Sequence, residues 1–390
     1  MWISRLCEED LKQAAAIRPV VLITGARQTG KSSLLKHAFP ETTYLTLDYP
    51  SLAQAAQESP EHFLNERPAP LIIDEIQYAP SLLRHIKPRI DEDRSKTGAY
   101  LLTGSQRFEP MAGVSESLAG RIRILELGTL SAEELRRAEQ DTQRYLVRGG
   151  YPELWATPEL SQRDFFEDYI ATYLERDLNR ILNVSNIRDF RRLMLACAAR
   201  IGQLLNYADL ARDTGVSANT VKTWINALEA SGLVYILQPY HANIGKRLTK
   251  APKLYFADHG LLCHLLNIQK LEQWHAHPLK GSLWENVVFC EYIKVKGYRP
   301  GYELFFYRDQ NGVDMDFVVE SEGKLLLIEA KSGENPDPRK LNFDKVAPLF
   351  SNHLHLKPEC ILACQLQHES ALRMKDYWVV NPLLHSLSRL

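Results

Sequence analysis

From Pro19 to about Leu130, short apolar runs alternate with polar stretches of helical character. The runs are Val20–Thr24, Thr43–Asp48, Leu71–Asp74, Tyr100–Thr103 and Ile122–Leu127. Such runs are too short for buried helices, and their apolar positions are consecutive. They predict strands buried on both faces of a parallel sheet. Five strands with helical crossovers predict one α/β domain over residues 1–130.

Beyond it the pattern turns helical, and residues 131–200 are read as a helical linker or lid region. Asp164–Leu182 predicts a long helix with Phe165, Tyr169, Tyr173 and Leu174 among its apolar positions and an Arg- and Glu-rich solvated face. Residues 201–280 carry a different arrangement. Tyr207–Asp213 predicts a short helix, Thr214 to Ser217 a turn with Ser217 as N-cap, and Ala218–Glu229 a second helix. Leu233–Leu237 and Lys253–Phe256 predict two strands, with Lys246, Arg247 and Lys250 in the loop between them. That order is a winged helix-turn-helix. Residues 281–390 predict an amphipathic helix, Ser282–Val295, then strands at Leu304–Tyr307, Met315–Val319 and Leu325–Ala330. The fold class is therefore α/β, with an N-terminal parallel sheet, a helical and winged-helix middle and a C-terminal α/β part.

Charge changes this picture little. With 47 Lys and Arg against 48 Asp and Glu, the 390-residue chain has net charge −1, so any nucleic-acid surface has to be a local patch. The six cysteines are scattered, complete no zinc pattern and read as small core side chains of a reducing compartment. No apolar run approaches the ~20 residues needed to span a bilayer, and the first residues are charged. The expectation is a cytoplasmic, soluble protein without a membrane partner.

The chemistry begins after the first strand. Gly25, Ala26, Arg27, Gln28, Thr29, Gly30, Lys31 and Ser32 satisfy G-x-x-x-x-G-K-[ST] at each fixed position, with Ser33 continuing into the helix Ser32–His37. Glycines let backbone N–H groups wrap phosphates, and the helix N-terminus adds a favourable dipole. Lys31 is expected on the β- and γ-phosphates and Ser32 on Mg²⁺. Leu71–Asp74 ends in two acids. Asp74 is expected beside the metal, with Glu75 orienting or deprotonating the attacking water. The next strand runs into Ser105, the candidate γ-phosphate sensor. Arg121 is the candidate cation for a neighbouring subunit's site, with Arg107 as its rival.

These parts resemble the AAA+ class with its additional-strand P-loop core, over about Pro19–Leu130. The resemblance implies ATP and Mg²⁺ as cofactors and a homo-oligomer, a hexamer among the forms it suggests. Ser105 departs from the commoner Asn or Thr, and the helical region offers no convincing second-sensor arginine.

The second informative segment runs from Asp314 to Lys331. A two-residue turn at Glu322 and Gly323 pairs Ser321 with Lys324. Counting back sets Asp316 opposite Glu329 and Asp314 opposite Lys331, with facing Cβ atoms about 5 Å apart. Two carboxylates and a lysine then converge, a set suited to Mg²⁺-dependent phosphodiester hydrolysis with Asp316 and Glu329 as ligands. Glu285 on the preceding helix is a candidate third acid. The segment resembles the PD-(D/E)xK restriction-endonuclease-like superfamily over about Gly281–Leu390. That resemblance implies roles for Glu285, Asp316, Glu329 and Lys331, although Met315 stands where the motif's name has Pro. An acid and lysine pattern on an exposed strand face is the plain alternative. The whole chain resembles a prokaryotic AAA+-type ATPase family with a C-terminal domain of unknown function. Tyr173 to Leu178 also resembles a stretch typical of that family.

In the second helix of the winged unit, Asn219, Thr220, Lys222 and Thr223 are placed to meet bases or phosphates. The combined reading is an ATPase coupled to nucleic acid, DNA ahead of RNA, with cleavage by the C-terminal unit. The alternative is a nucleotide-dependent switch, or a protein-interaction ATPase, with an inactive nuclease-like fold.

Overall fold

The computed structural model describes residues 2–93, 95–104, 118–173, 187–240, 251–354, 357–368 and 370–387. Ser105, Arg107, Lys246, Arg247, Lys250 and most of the 173–178 stretch lie outside the described residues. The chain divides into two compact units. One is Trp2–Thr129 with Ala230–Gly232; the other is Leu130–Glu229 with Leu233–Leu390.

The first unit holds five parallel strands: β1 (Val20–Thr24), β2 (Thr43–Thr46), β3 (Leu71–Asp74), β4 (Tyr100–Gly104) and β5 (Ile122–Glu126). Their order is β2-β3-β4-β1-β5, all pairs parallel. The three inner strands are buried at every position, while the edge strands are partly exposed. Alternation assigns side chains to two layers. Val20, Leu22, Leu71 and Ile73 pack with Phe63, Leu82, Leu83 and Ile86. Val21, Ile23, Ile72 and Leu101 pack with Leu11, Leu34 and Leu35 on the other face. Both faces are covered by helices, which is why these strands read as unbroken apolar runs. β4 lies between β1 and β3 and so inserts one strand between the P-loop and the acidic strand end.

In the second unit, the helix Gln162–Tyr173 buries Phe165, Phe166, Tyr169 and Ile170. Helices Tyr207–Thr214 and Ala218–Ala230 are joined by a turn in which Gly215 adopts φ 76° and the Ser217 hydroxyl caps the N–H of Thr220 at 3.1 Å. An antiparallel ribbon follows, β6 (Val234–Leu237) with β7 (Lys253–Phe256). The last sheet has the order β12-β13-β11-β10-β9-β8. Its strands are β8 (Leu304–Arg308), β9 (Asp314–Ser321), β10 (Lys324–Lys331), β11 (Glu359–Cys364), β12 (Leu372–Arg373) and β13 (Trp378–Val380). β8, β9 and β10 form an antiparallel meander, and β11 joins β10 in parallel.

The helix before this sheet, Lys280–Lys296, differs from the amphipathic expectation. Leu283, Trp284, Asn286 to Tyr292 are all buried, so its middle turns have no solvated face. The reason is packing on two sides: Trp284 donates its indole N–H to Ala363 O at 2.9 Å in the sheet, while Asn286 bonds Phe256 in the ribbon. Burial also takes in Glu291. Its carboxylate accepts the Tyr145 hydroxyl at 2.6 Å and the Ala132 N–H at 3.1 Å. Lys294 reaches Leu130 O at 3.1 Å and Tyr145 Oη at 3.0 Å.

Burial pushes the Glu291 carboxyl up to about 7, against the downward pull of Lys294 and the two hydrogen bonds. A raised carboxyl pKa means that the folded state binds more protons than the unfolded one from about pH 4.5 to 7, so stability falls across that window. Glu291→Gln removes this titration. Denaturation midpoints measured from pH 5 to 8 should therefore show wild type losing ground to Glu291→Gln as pH rises. A gap that stays constant with pH would refute the assignment.

Candidate functional site

The turn after β1 builds a cradle from backbone. Gly25 adopts φ 142°, and a Cβ there would lie 2.2 Å from Leu127 O, so no side chain fits. Gln28 and Gly30 have φ 59° and 91° before the helix Lys31–Ala38 begins, left-handed backbone of the kind that builds anion-binding concavities from successive N–H groups. Thr29 is buried and its hydroxyl bonds Ala26 O at 3.0 Å, closing the loop. Ala26 is buried too, while Arg27 and Ser33 lie toward the surface. Lys31 is buried and donates to Gly25 O at 3.1 Å and Ala26 O at 2.8 Å. Burial lowers its pKa to about 8, with Glu75 and Asp74 pulling it up and Arg27 pulling it down. A cation already drawn into the loop suits a polyphosphate, whose charge replaces these weaker carbonyl contacts.

Asp74 is the hub. Ser32 Oγ donates to its Oδ1 at 2.7 Å and Tyr44 Oη to its Oδ2 at 2.7 Å; the Thr103 hydroxyl also donates to Oδ1. The serine and carboxylate oxygens expected to hold Mg²⁺ are therefore adjacent, and this oxygen set fits that hard cation. Glu75 follows with φ 59°, its N–H bonded to Thr103 Oγ1 at 3.0 Å and its carboxylate bonded by Gln77. The left-handed backbone separates the two adjacent acids, one held by hydroxyls and one turned elsewhere. Arg121 sits apart from them. It makes a two-pronged pair with Asp91, at 2.8 and 2.9 Å, and bonds Ala119 O.

Three participants escaped the sequence reading. Tyr44 lies in β2 and Thr103 near the end of β4, the two strands that flank β3, and that order brings both to Asp74. Arg5 is buried and clamps Thr29 O at 2.9 Å and Gly128 O at 2.7 Å. Thr103 carried a local signal, as a polar residue ending an apolar run; Arg5 carried none.

The second cluster lies in the second unit. The β9–β10 register runs from Ser321↔Lys324 to Phe317↔Ile328, and one step further stand Asp316 and Glu329. Asp316 accepts the Ala330 N–H at 2.8 Å. Lys331 Nζ lies 2.9 Å from Glu329 Oε1 and 4.0 Å from Asp316 Oδ2. Glu329 also accepts the Asn342 N–H at 3.1 Å. Glu285 is engaged differently: Lys253 Nζ lies 2.8 Å from its Oε1, and the Tyr255 hydroxyl donates to the same oxygen. Burial, then Glu285, raise the Asp316 carboxyl to about 7 against Lys253, Lys331 and the Ala330 N–H. Among the described residues, no three or more His, Cys, Asp or Glu side chains are grouped to hold a metal ion. Lys253 and Tyr255, from the ribbon, were invisible as site residues in the sequence.

On the face of the helix Ala218–Ala230, Asn219, Lys222 and Thr223 are exposed and Thr220 is half-buried, while Val221, Trp224, Ile225, Ala227 and Leu228 form its core side.

Comparison with known proteins decides the family. Over 328 residues the chain is 31% identical to an uncharacterized protein, Rv2008c, of Mycobacterium tuberculosis, spanning 84% of this chain and 73% of that one. The chain belongs to that family. An uncharacterized Mycobacterium bovis protein, Mb2031c, matches to the same extent. Residues 17–136 match an AAA domain, 139–272 a domain of unknown function (DUF8612), and 280–379 a domain of unknown function (DUF4143). It is an AAA-type P-loop ATPase with a C-terminal domain of unknown function. Among solved structures it is similar to the Walker-type ATPase paby2304 of Pyrococcus abyssi, at 14% identity and TM-score 0.43, covering 68% of this chain and 96% of that one. The Thermotoga maritima RuvB Holliday junction branch migration motor matches at 16% identity and TM-score 0.31, covering 60% and 89%. Among the described residues no helix is long and apolar enough to cross a membrane.

Arg5→Ala should cost about 2 kcal/mol, the scale of charge-assisted hydrogen bonds, and weaken nucleotide binding through a slack P-loop. Denaturant midpoints and titration with a fluorescent ATP analogue check this. Unchanged values in both would show that the clamp carries no strain of the loop.

Proposed function

We propose that this protein is a Mg²⁺-dependent ATPase whose hydrolysis drives a transaction on nucleic acid, DNA ahead of RNA. The contact that carries the hydrolytic part is Ser32 Oγ on Asp74 Oδ1 at 2.7 Å. In the loaded site Ser32 would ligate the metal, with Asp74 beside it. The metal they would hold would supply charge neutralisation for the transferring phosphate. Lys31 leaves the loop carbonyls for the phosphates. Glu75, released from Gln77, takes a proton from the attacking water. Lys31→Ala should weaken ATP binding about tenfold or more, the scale of a lost charge-assisted contact. Glu75→Gln should bind ATP normally and hydrolyse it about 10²-fold more slowly, as expected for loss of a general base. Wild-type turnover by Glu75→Gln would remove Glu75 from that role.

The nucleic-acid part rests on two features of the second unit. The helix-turn-helix and ribbon resemble a winged helix with Asn219, Lys222 and Thr223 on its open face. The set Asp316, Glu329 and Lys331 resembles a nuclease centre, with Lys331 near enough to both acids to orient a water. A second reading, a nucleotide-dependent switch whose C-terminal unit does not cut, is favoured by one observation. The Glu285 carboxylate is occupied by Lys253 and Tyr255.

Duplex DNA affinity measured across a salt series should fall steadily with salt, because bound phosphates release counterions. Absence of binding at low salt would end the nucleic-acid reading. Cleavage with Mg²⁺ or Mn²⁺ that disappears in Lys331→Ala supports the first reading; no cleavage under any of these conditions supports the second.

A further inference from the structure

Lys253 opens strand β7, yet its ammonium belongs to the cluster of the last sheet. The backbone around it is fixed. Lys253 pairs with Leu237 across the ribbon and bridges to Leu204. Its neighbours Pro252 and Leu254 accept the N–H groups of Leu205 and Gly202 at 2.7 and 3.2 Å. The side chain is buried, with Nζ 5.3 Å from the centre of the Phe306 ring and 2.8 Å from Glu285 Oε1. A buried lysine is retained only where charge answers it. Here Glu285 answers by direct contact, and Asp316 and Asp314 are close enough to hold the ammonium charged.

The second ammonium is arranged differently. Lys331 comes from the same strand as Glu329 and stays one-third exposed. Two lysines of distinct origin thus serve the acids here: Lys331, from the hairpin itself, pairs with Glu329 and Asp316, and Lys253, brought from the ribbon, pairs with Glu285. Glu285 Oε1 receives both Lys253 and Tyr255, which leaves that oxygen no lone pair for a metal. An ammonium 2.8 Å from a carboxylate oxygen and a Mg²⁺ at about 2.1 Å from it repel each other and compete for one position.

We propose that Lys253 is a built-in counter-ion standing where a divalent metal would bridge Glu285 and Asp316. The cluster takes Mg²⁺ or Mn²⁺ between these acids only after the ribbon withdraws this ammonium. The proposal rests on reading the cluster as a nuclease-like centre and supplies its control: the ribbon holds it shut.

The test is Mn²⁺ titration of the full chain without nucleotide, following free Mn²⁺ by electron paramagnetic resonance. Asp316→Asn identifies the part of the binding that belongs to the cluster. In wild type, Asp316→Asn should change nothing. Lys253→Met should gain one Mn²⁺ site, tighter than any wild-type cluster binding by about tenfold or more, as expected when a competing unit charge is removed. Lys253→Met with Asp316→Asn should lose it again. An Asp316-dependent Mn²⁺ site already present in wild type, or none gained in Lys253→Met, overturns the proposal. Should Lys253→Met not fold, Lys253→Gln keeps a donor for Glu285 without the charge and is read identically. Metal binding and cleavage are scored separately. A gained Mn²⁺ site without DNA cleavage supports the counter-ion role and ends the nuclease reading. Wild-type cleavage with an Asp316-dependent Mn²⁺ site supports the nuclease reading and overturns the counter-ion role.

Discussion

The Asp74 carboxylate is the point on which the nucleotide site depends. It receives hydroxyls from Ser32 on the P-loop helix, Tyr44 on β2 and Thr103 on β4. Those residues meet only because the strand order brings β2, β3 and β4 side by side and places β1 next to β4. A buried carboxylate without such partners would be neutralised or expelled. The apolar strands therefore do more than form a core: their order gathers three hydroxyls around one acid, and the P-loop serine is among them.

The second unit handles charge in another way. At its buried acids lysine ammoniums stand beside the hydroxyls. Glu291 and Lys294 share the Tyr145 hydroxyl, Glu285 pairs with Lys253, and Glu329 pairs with Lys331. Removing one member of such a pair leaves the other buried and unmatched, the costly case for internal ions. Lys253 to Glu285, and the Tyr145 hydroxyl shared by Glu291 and Lys294, tie elements distant in sequence, while Glu329 and Lys331 pair within one strand.

How much of this was legible depended on how local each signal is. The P-loop is contiguous, so Gly25, Gly30, Lys31 and Ser32 announce themselves. Asp74 and Glu75 are legible because they end an apolar run. The register that faces Asp316 with Glu329 follows from one tight turn and the period of two along a strand. Arg5, Tyr44 and Lys253 were not legible, because each reaches its partner only after sheets and helices have assembled. Arg121 was read as a cation for a neighbouring subunit's site; within this chain it pairs with Asp91 on the helix Leu82–Glu92, a partner that no local pattern announces. The helix Lys280–Lys296 reads as amphipathic in isolation, and only its two-sided packing accounts for its buried polar residues.

That helix has a mechanical meaning. Glu285 and Glu291 are six residues apart on one hydrogen-bonded rod, about 9 Å along its axis. At one end the rod grips Leu130 and Ala132 through Lys294 and Glu291; near the other it presents Glu285 to Lys253 and Tyr255. A continuous α-helix neither stretches nor twists at low cost. Residues 130–132 and the carboxylate of Glu285 are thus two fittings on one shaft, held by the same continuous helix.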